Sequence, residues 1–127
     1  MKNRTWCIAA MFVFVSPYSC HKPTPQEEYD HARQCYVVLD LVLKRIPAAG
    51  LKQAGLDRGT IQTAADDFLG GTWADGKALG MTIDAISTDI ERARLSYSTA
   101  ETADERLNAL RDDANECLGD YYGRPND

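Results

Sequence analysis

Thr24-Pro25-Gln26-Glu27-Glu28-Tyr29-Asp30-His31-Ala32-Arg33-Gln34-Cys35-Tyr36-Val37-Val38-Leu39-Asp40-Leu41-Val42-Leu43-Lys44-Arg45-Ile46-Pro47 is the stretch that decides the fold. It opens with a hydroxyl that can cap a helix, a proline at the first helical position and an acid three residues on. It closes on Lys44 and Arg45, which suit the negative end of a helix dipole, and on Pro47, which cannot continue a helix. Between these ends Tyr29, Ala32, Cys35/Tyr36, Leu39, Val42/Leu43 and Ile46 recur three and four residues apart. That spacing lines one face of a helix over 25–46. Val37, Val38 and Leu41 widen the apolar face, so this helix is expected to be the most buried.

Downstream, Pro47, Gly50 and Gly55 mark a loop over 47–56 with room for one helical turn. A short second helix is expected over 58–69, with Ile61, Ala64/Ala65 and Phe68/Leu69 inward and Gly70-Gly71 ending it. Thr72-Trp73-Ala74-Asp75 and Thr102-Ala103-Asp104-Glu105 repeat the hydroxyl-x-x-acid spacing of a helix start. They open a third helix over 73–97, striped by Leu79, Ile83, Ile86, Ile90, Ala93 and Tyr97, and a fourth over 102–119. The fourth is striped by Ala103, Leu107, Leu110, Ala114, Cys117 and Tyr121, with Gly119 or Gly123 to end it. No strand pattern and no internal repeat stands out. The fold class is therefore all-α, a small up-down four-helix bundle with one short helix over 25–122, followed by a tail at 123–127.

Upstream the pattern is an address rather than a fold. Lys2 and Arg4 precede the uncharged run Trp6–Val15, about half of what a bilayer-spanning helix needs and the right length for a signal peptide over 1–19. Ser16-Pro17-Tyr18-Ser19-Cys20 follows. A small residue directly before a cysteine resembles a bacterial lipobox, although Pro17 stands where that pattern prefers leucine. The resemblance implies cleavage before Cys20, a diacylglyceryl anchor on it and a tether at 20–24. Cysteine arithmetic agrees: Cys7 leaves with the signal, Cys20 takes the lipid, and Cys35 and Cys117 remain as a pair in an oxidising compartment. Both sit on inward stripes, so a Cys35–Cys117 disulfide between the first and fourth helices is expected.

Charge excludes whole classes of function. Without Lys2 and Arg4, 12 basic residues face 19 acidic ones, a net charge of −7 on the exported part. With no basic stripe to reverse it, such a surface repels nucleic-acid phosphates and anionic lipid, leaving the N-terminal lipid as the only membrane contact. Catalytic constellations are absent. Ser87, Ser96 and Ser98 have no histidine placed by a motif, and there is no phosphate-binding loop, dinucleotide fingerprint or haem motif. His31 and Cys35 lie four apart near Glu27 and Glu28, but a disulfide at Cys35 leaves too few ligands for a metal. Asp40 is expected to face solvent, and Asp66-Asp67 and Asp112-Asp113 read as solvated faces, since adjacent helical residues point about 100° apart.

The unusual segment is Gly70–Gly80, with four glycines beside Trp73. Each glycine inside a helix costs about 1 kcal/mol against alanine. Close helix packing at Gly76-x-x-x-Gly80 would offset that. So would a shallow groove rimmed by Trp73, where a partner docks with Asp66, Asp67 and Asp75 attracting its basic surface. The functional expectation is a non-enzymatic protein on the periplasmic side of a bacterial envelope, lipid-anchored if Cys20 is modified and otherwise soluble in the periplasm. It would act by protein–protein interaction as an inhibitor, an immunity-type protein or an accessory subunit, with no cofactor. The alternative is a small-ligand or metal carrier that uses the bundle interior.

Overall fold

The computed structural model describes residues 6–9, 18–97 and 103–123, with side chains at 22–97 and 107–123. Two short strands, β1 (Trp6–Ala9) and β2 (Tyr18–His21), pair antiparallel with Cys7 opposite Cys20. No strand was expected there. A short apolar run does not distinguish strand from helix by its periodicity, and Trp, Cys and Ile suit an extended pair. Cleavage before Cys20 would remove β1 and cut β2 between Ser19 and Cys20, so this strand pair can exist only in the uncleaved chain. Pro23, in the segment read as a tether, is buried.

The packed body is all-α, with five helices: α1 (Pro25–Arg45), α2 (Ala48–Gln53), α3 (Arg58–Ala78), α4 (Ile83–Ser96) and α5 (Ala103–Tyr122). Helix α1 begins as its sequence dictates. The Thr24 hydroxyl accepts the Glu27 N–H at 3.2 Å, and Pro25 takes the first turn. Tyr29, Val37, Val38, Leu39 and Val42 are fully buried, which places α1 at the centre of the core.

The other helices wrap α1. Tyr29 lies against Gly76, Ala32 against Gly71, and Arg58 donates to the Leu43 carbonyl, so α3 runs antiparallel to α1 along most of its length. Tyr29 meets Asp89 and Asp40 meets Arg94, so α4 runs parallel to α1. His31 meets Asp120 and Cys35 meets Cys117, so α5 runs antiparallel. The alternation is that of an up-down bundle. It is not a closed ring, because α4 and α5 scarcely touch each other and each leans on α1. The expected Cys35–Cys117 disulfide is present, with Cα atoms 5.5 Å apart and the partners 82 positions apart in sequence. Closing a loop of that length contributes about 4–5 kcal/mol in the chain-entropy account.

The helix boundaries in the middle of the chain differ from expectation. Gly70-Gly71 does not end a helix, and Thr72 does not cap one. Helix α3 runs straight through them, with Ile61, Ala64/Ala65, Phe68, Thr72 and Gly76 forming one buried stripe along α1. The Thr72 hydroxyl is buried and donates to the Phe68 carbonyl at 2.7 Å, four residues back. Glycine weakens a helix without removing its N–H, and a long packed stripe outweighs that propensity cost. The actual end is at Gly80, whose φ of +80° is the left-handed turn glycine favours. Gly80 N–H bonds the Lys77 carbonyl at 2.9 Å and Met81 N–H bonds that of Gly76 at 2.9 Å, a complete Schellman closure. The cap of α4 is then Thr82, whose hydroxyl accepts the Ala85 N–H at 3.1 Å. Ile83, expected on the inward stripe, is 63% exposed. The helix expected over 73–97 is thus the last part of α3, a turn and α4. The short helix is α2, closed by the same device at Gly55.

Candidate functional site

Two surfaces carry the residues singled out by sequence. The first is the outward line of α3. Asp66, Gly70, Ala74 and Lys77 are exposed along it, and Trp73 stands beside them, half-buried, with one side packed on the core. A Cβ built at Gly70 would meet nothing within 4 Å, and at Gly71 it would make only ordinary contact with Ala32, at 3.8 Å. Gly76 is the opposite case. Its Cβ would sit 2.6 and 2.8 Å from Ile86 atoms and 3.2 Å from the Tyr29 ring. Close packing within the chain therefore accounts for Gly76, and the turn accounts for Gly80. Among the described residues nothing accounts for Gly70.

The three acids expected around Trp73 do not converge. Asp66 shares its line seven residues earlier and accepts a hydrogen bond from Gln62 at 2.9 Å. Asp67 leans the other way and accepts the Tyr121 hydroxyl of α5. Asp75 turns toward α1, where burial and then the charge of Glu28 raise its pKa. Lys77 adds a positive charge one turn beyond Trp73.

The second surface was not legible in the sequence. A cleft of about 200 Å³ opens over the disulfide, between α1, α5 and the end of α4. His31 Nε2 lies 3.0 Å from Asp120 Oδ2 and 3.6 Å from Cys35 Sγ, and its ring meets Phe68 edge-on at 5.8 Å. The Tyr97 hydroxyl donates to Asp113 at 3.1 Å and accepts from Gln34. Burial, then the Asp113 charge, raises the Tyr97 pKa. Asp113, read as part of a solvated pair, and Tyr97, read as core, are thus brought together across the cleft mouth. The His31–Cys35 spacing offers no metal site, since the sulfur is in the disulfide, and no group of metal-holding side chains occurs among the described residues.

No family model matches this chain, and comparison with curated proteins and with solved structures returned no match.

The remaining candidates are structural. Asp40 is not solvent-facing: it is half-buried, paired with Lys44 at 2.9 Å and with Arg94 of α4. Burial opposes the Arg94 charge, but the Asp40 carboxylate prevails and the Arg94 pKa is raised. An off-stripe aspartate is thereby the clamp between α1 and α4, a role that a helical wheel of one helix cannot display. Ser87 is exposed, Ser96 donates to the Ala93 carbonyl at 2.6 Å, and Ser98 lies outside the described residues. Cys20 lies in β2 and is described by its backbone alone. Among the described residues no helix is long and apolar enough to cross a membrane.

Proposed function

We propose that this protein is exported, anchored by a lipid on Cys20, and acts without catalysis by binding another envelope protein through the outward line of α3 around Trp73. An inhibitor, an immunity-type protein and an accessory subunit all fit that description. Gly70 is the observation that carries the reading. It is an exposed glycine in the interior of a 21-residue helix, with open space where its Cβ would be. It costs about 1 kcal/mol against alanine, and no contact among the described residues offsets this. A partner backbone or side chain lying against Gly70 and Ala74, with the half-buried Trp73 as anchor, would offset it. A carrier role draws less support. The buried face of α1 is mostly aliphatic, and the cleft over the disulfide is smaller than common ligand pockets of about 300–1,000 Å³.

The test uses the mature protein as bait in envelope extracts, with bound proteins quantified by mass spectrometry. Gly70→Arg fills the open space without touching the core and should abolish capture of the specific partner while leaving the melting curve intact. Trp73→Ala should do the same with only a small loss of stability. A core role for Trp73 would instead cost about 3–5 kcal/mol. Retention of the same partners by both variants would refute this face as the binding site.

A further inference from the structure

Helix α5 is held differently from the other long helices. Helix α3 lays a continuous buried stripe along α1. Helix α4 buries Ile86 and Ile90 and is clamped by the Tyr29–Asp89 and Asp40–Arg94 contacts. Among the described residues α5 buries Leu110, Ala114 and Cys117 and packs the partly buried Leu107, Leu118 and Tyr121 against the core. It rests chiefly on α1, touches α3 little and α4 scarcely at all. Its polar ties, His31–Asp120, Tyr97–Asp113 and Tyr121–Asp67, all lie at partly exposed positions. The disulfide that fixes it, with Cys35 2% and Cys117 6% exposed, lines the cleft between α1 and α5.

We propose that the Cys35–Cys117 bond is a redox latch: a dithiol entering the cleft reduces it and releases α5 from α1, uncovering Phe68 and Val38. The two sulfurs are not equivalent. His31 Nε2 stands 3.6 Å from Cys35 Sγ and 3.0 Å from Asp120 Oδ2, so a thiolate at Cys35 would share its one N–H with that carboxylate. Cys117 is next to Glu116 and one helical turn from Asp113, whose charges disfavour a thiolate. The better leaving sulfur is therefore that of Cys35. One thiolate of the dithiol attacks Cys117 Sγ. The S–S bond breaks, and its electron pair leaves on Cys35 Sγ beside the His31 N–H. The second thiolate of the dithiol then displaces Cys117 from the mixed disulfide. The dithiol ends as a cyclic disulfide, having given two electrons, and both cysteines end as thiols once protonated. With the bond gone, α5 has no covalent tie to α1 and is held by its apolar contacts and its three partly exposed polar ties.

Hydrogen exchange on the full chain, oxidised and then fully reduced with dithiothreitol, tests the latch. The expected result is that amides from Leu107 to Leu118 lose protection by about tenfold or more while those of Val37–Leu43 and Ile61–Phe68 stay within about twofold. A Cys35→Ala/Cys117→Ala double variant should reproduce the reduced pattern. Unchanged protection of α5 after complete reduction would overturn the proposal. So would equal loss from every helix, which would make the bond a staple of the whole domain. His31→Gln should slow reduction by dithiothreitol by about threefold or more. An unchanged or faster rate would overturn the assignment of Cys35 as the leaving sulfur.

Discussion

The same substitution, glycine to alanine, should have opposite signs at two positions six residues apart on one helix. At Gly70 the added methyl meets nothing within 4 Å, so only the helix propensity changes. Alanine should stabilise the protein by about 0.5–1 kcal/mol, or about 3–6 °C in Tm for a domain of this size. At Gly76 the same propensity gain is available, but the methyl would sit 2.6 and 2.8 Å from Ile86 and 3.2 Å from Tyr29. Neither neighbour can swing into solvent. Both are fully buried, and the Tyr29 hydroxyl is fixed to Asp89 at 3.0 Å. Overpacking of this kind costs about 1–3 kcal/mol or more, so Gly76→Ala should lose about 1–2 kcal/mol net, a fall of roughly 5–15 °C. The source of the loss can be isolated. Ile86→Val removes the atom at 2.6 Å and alone should cost about 0.5–1.5 kcal/mol. Combined with Gly76→Ala it should cost much less, or help, giving a coupling above about 0.5 kcal/mol. Thermal and urea denaturation with the disulfide intact would measure all four proteins. Equal signs at Gly70 and Gly76, or strict additivity with Ile86→Val, would refute the reasoning.

Asp75 has a pKa raised by burial and then by Glu28, so its charged form destabilises the fold above that pKa. Asp75→Asn should therefore raise Tm at pH 7, and the gain should vanish below about pH 3, where the aspartate is itself neutral. Tyr97 has a pKa raised by burial and the Asp113 charge, so the folded state holds its proton more tightly than the unfolded chain does. Its contribution is complete below the ordinary tyrosine value and is lost as pH climbs from about 10 upward; Tyr97→Phe should flatten that alkaline fall in stability, measured by urea titration. Expressed in a diderm bacterium, the protein should start at a diacylglyceryl-modified Cys20, and Cys20→Ser should release it from membranes; a soluble wild-type protein with an unmodified Cys20 in its mature N-terminal peptide would refute the anchor.

Local chemistry made the ends of the bundle readable. Thr24, Pro25, Lys44, Arg45 and Pro47 act within one turn of their own helix, so their meaning survives in any tertiary context. The two inward cysteines were readable as a pair because parity and helical phase constrained them before any packing was known. The middle of the chain was not. Gly70-Gly71 and Thr72 look like a helix end and a helix start, but the buried stripe from Ile61 to Gly76 overrode both. The capping code cannot say which of two plausible hydroxyls is used: Thr82 caps α4, while Thr72 turns back to the Phe68 carbonyl.

By itself, the sequence determined that the body is helical, where its first helix begins and ends, that Cys35 and Cys117 belong together, and that the chain is acidic. Those properties follow from composition, phase and contacts within a few residues. Only the tertiary structure decided that α1 is wrapped by its neighbours, that Asp40 clamps α4, and that His31, Tyr97, Asp113 and Asp120 gather around the disulfide. It alone separated Gly76, which lets Ile86 and Tyr29 close in, from Gly70, which faces open space. The reason is physical: these roles depend on residues that stand 10 to 89 positions apart in sequence and meet only when the helices pack, and no periodicity within one helix carries that information.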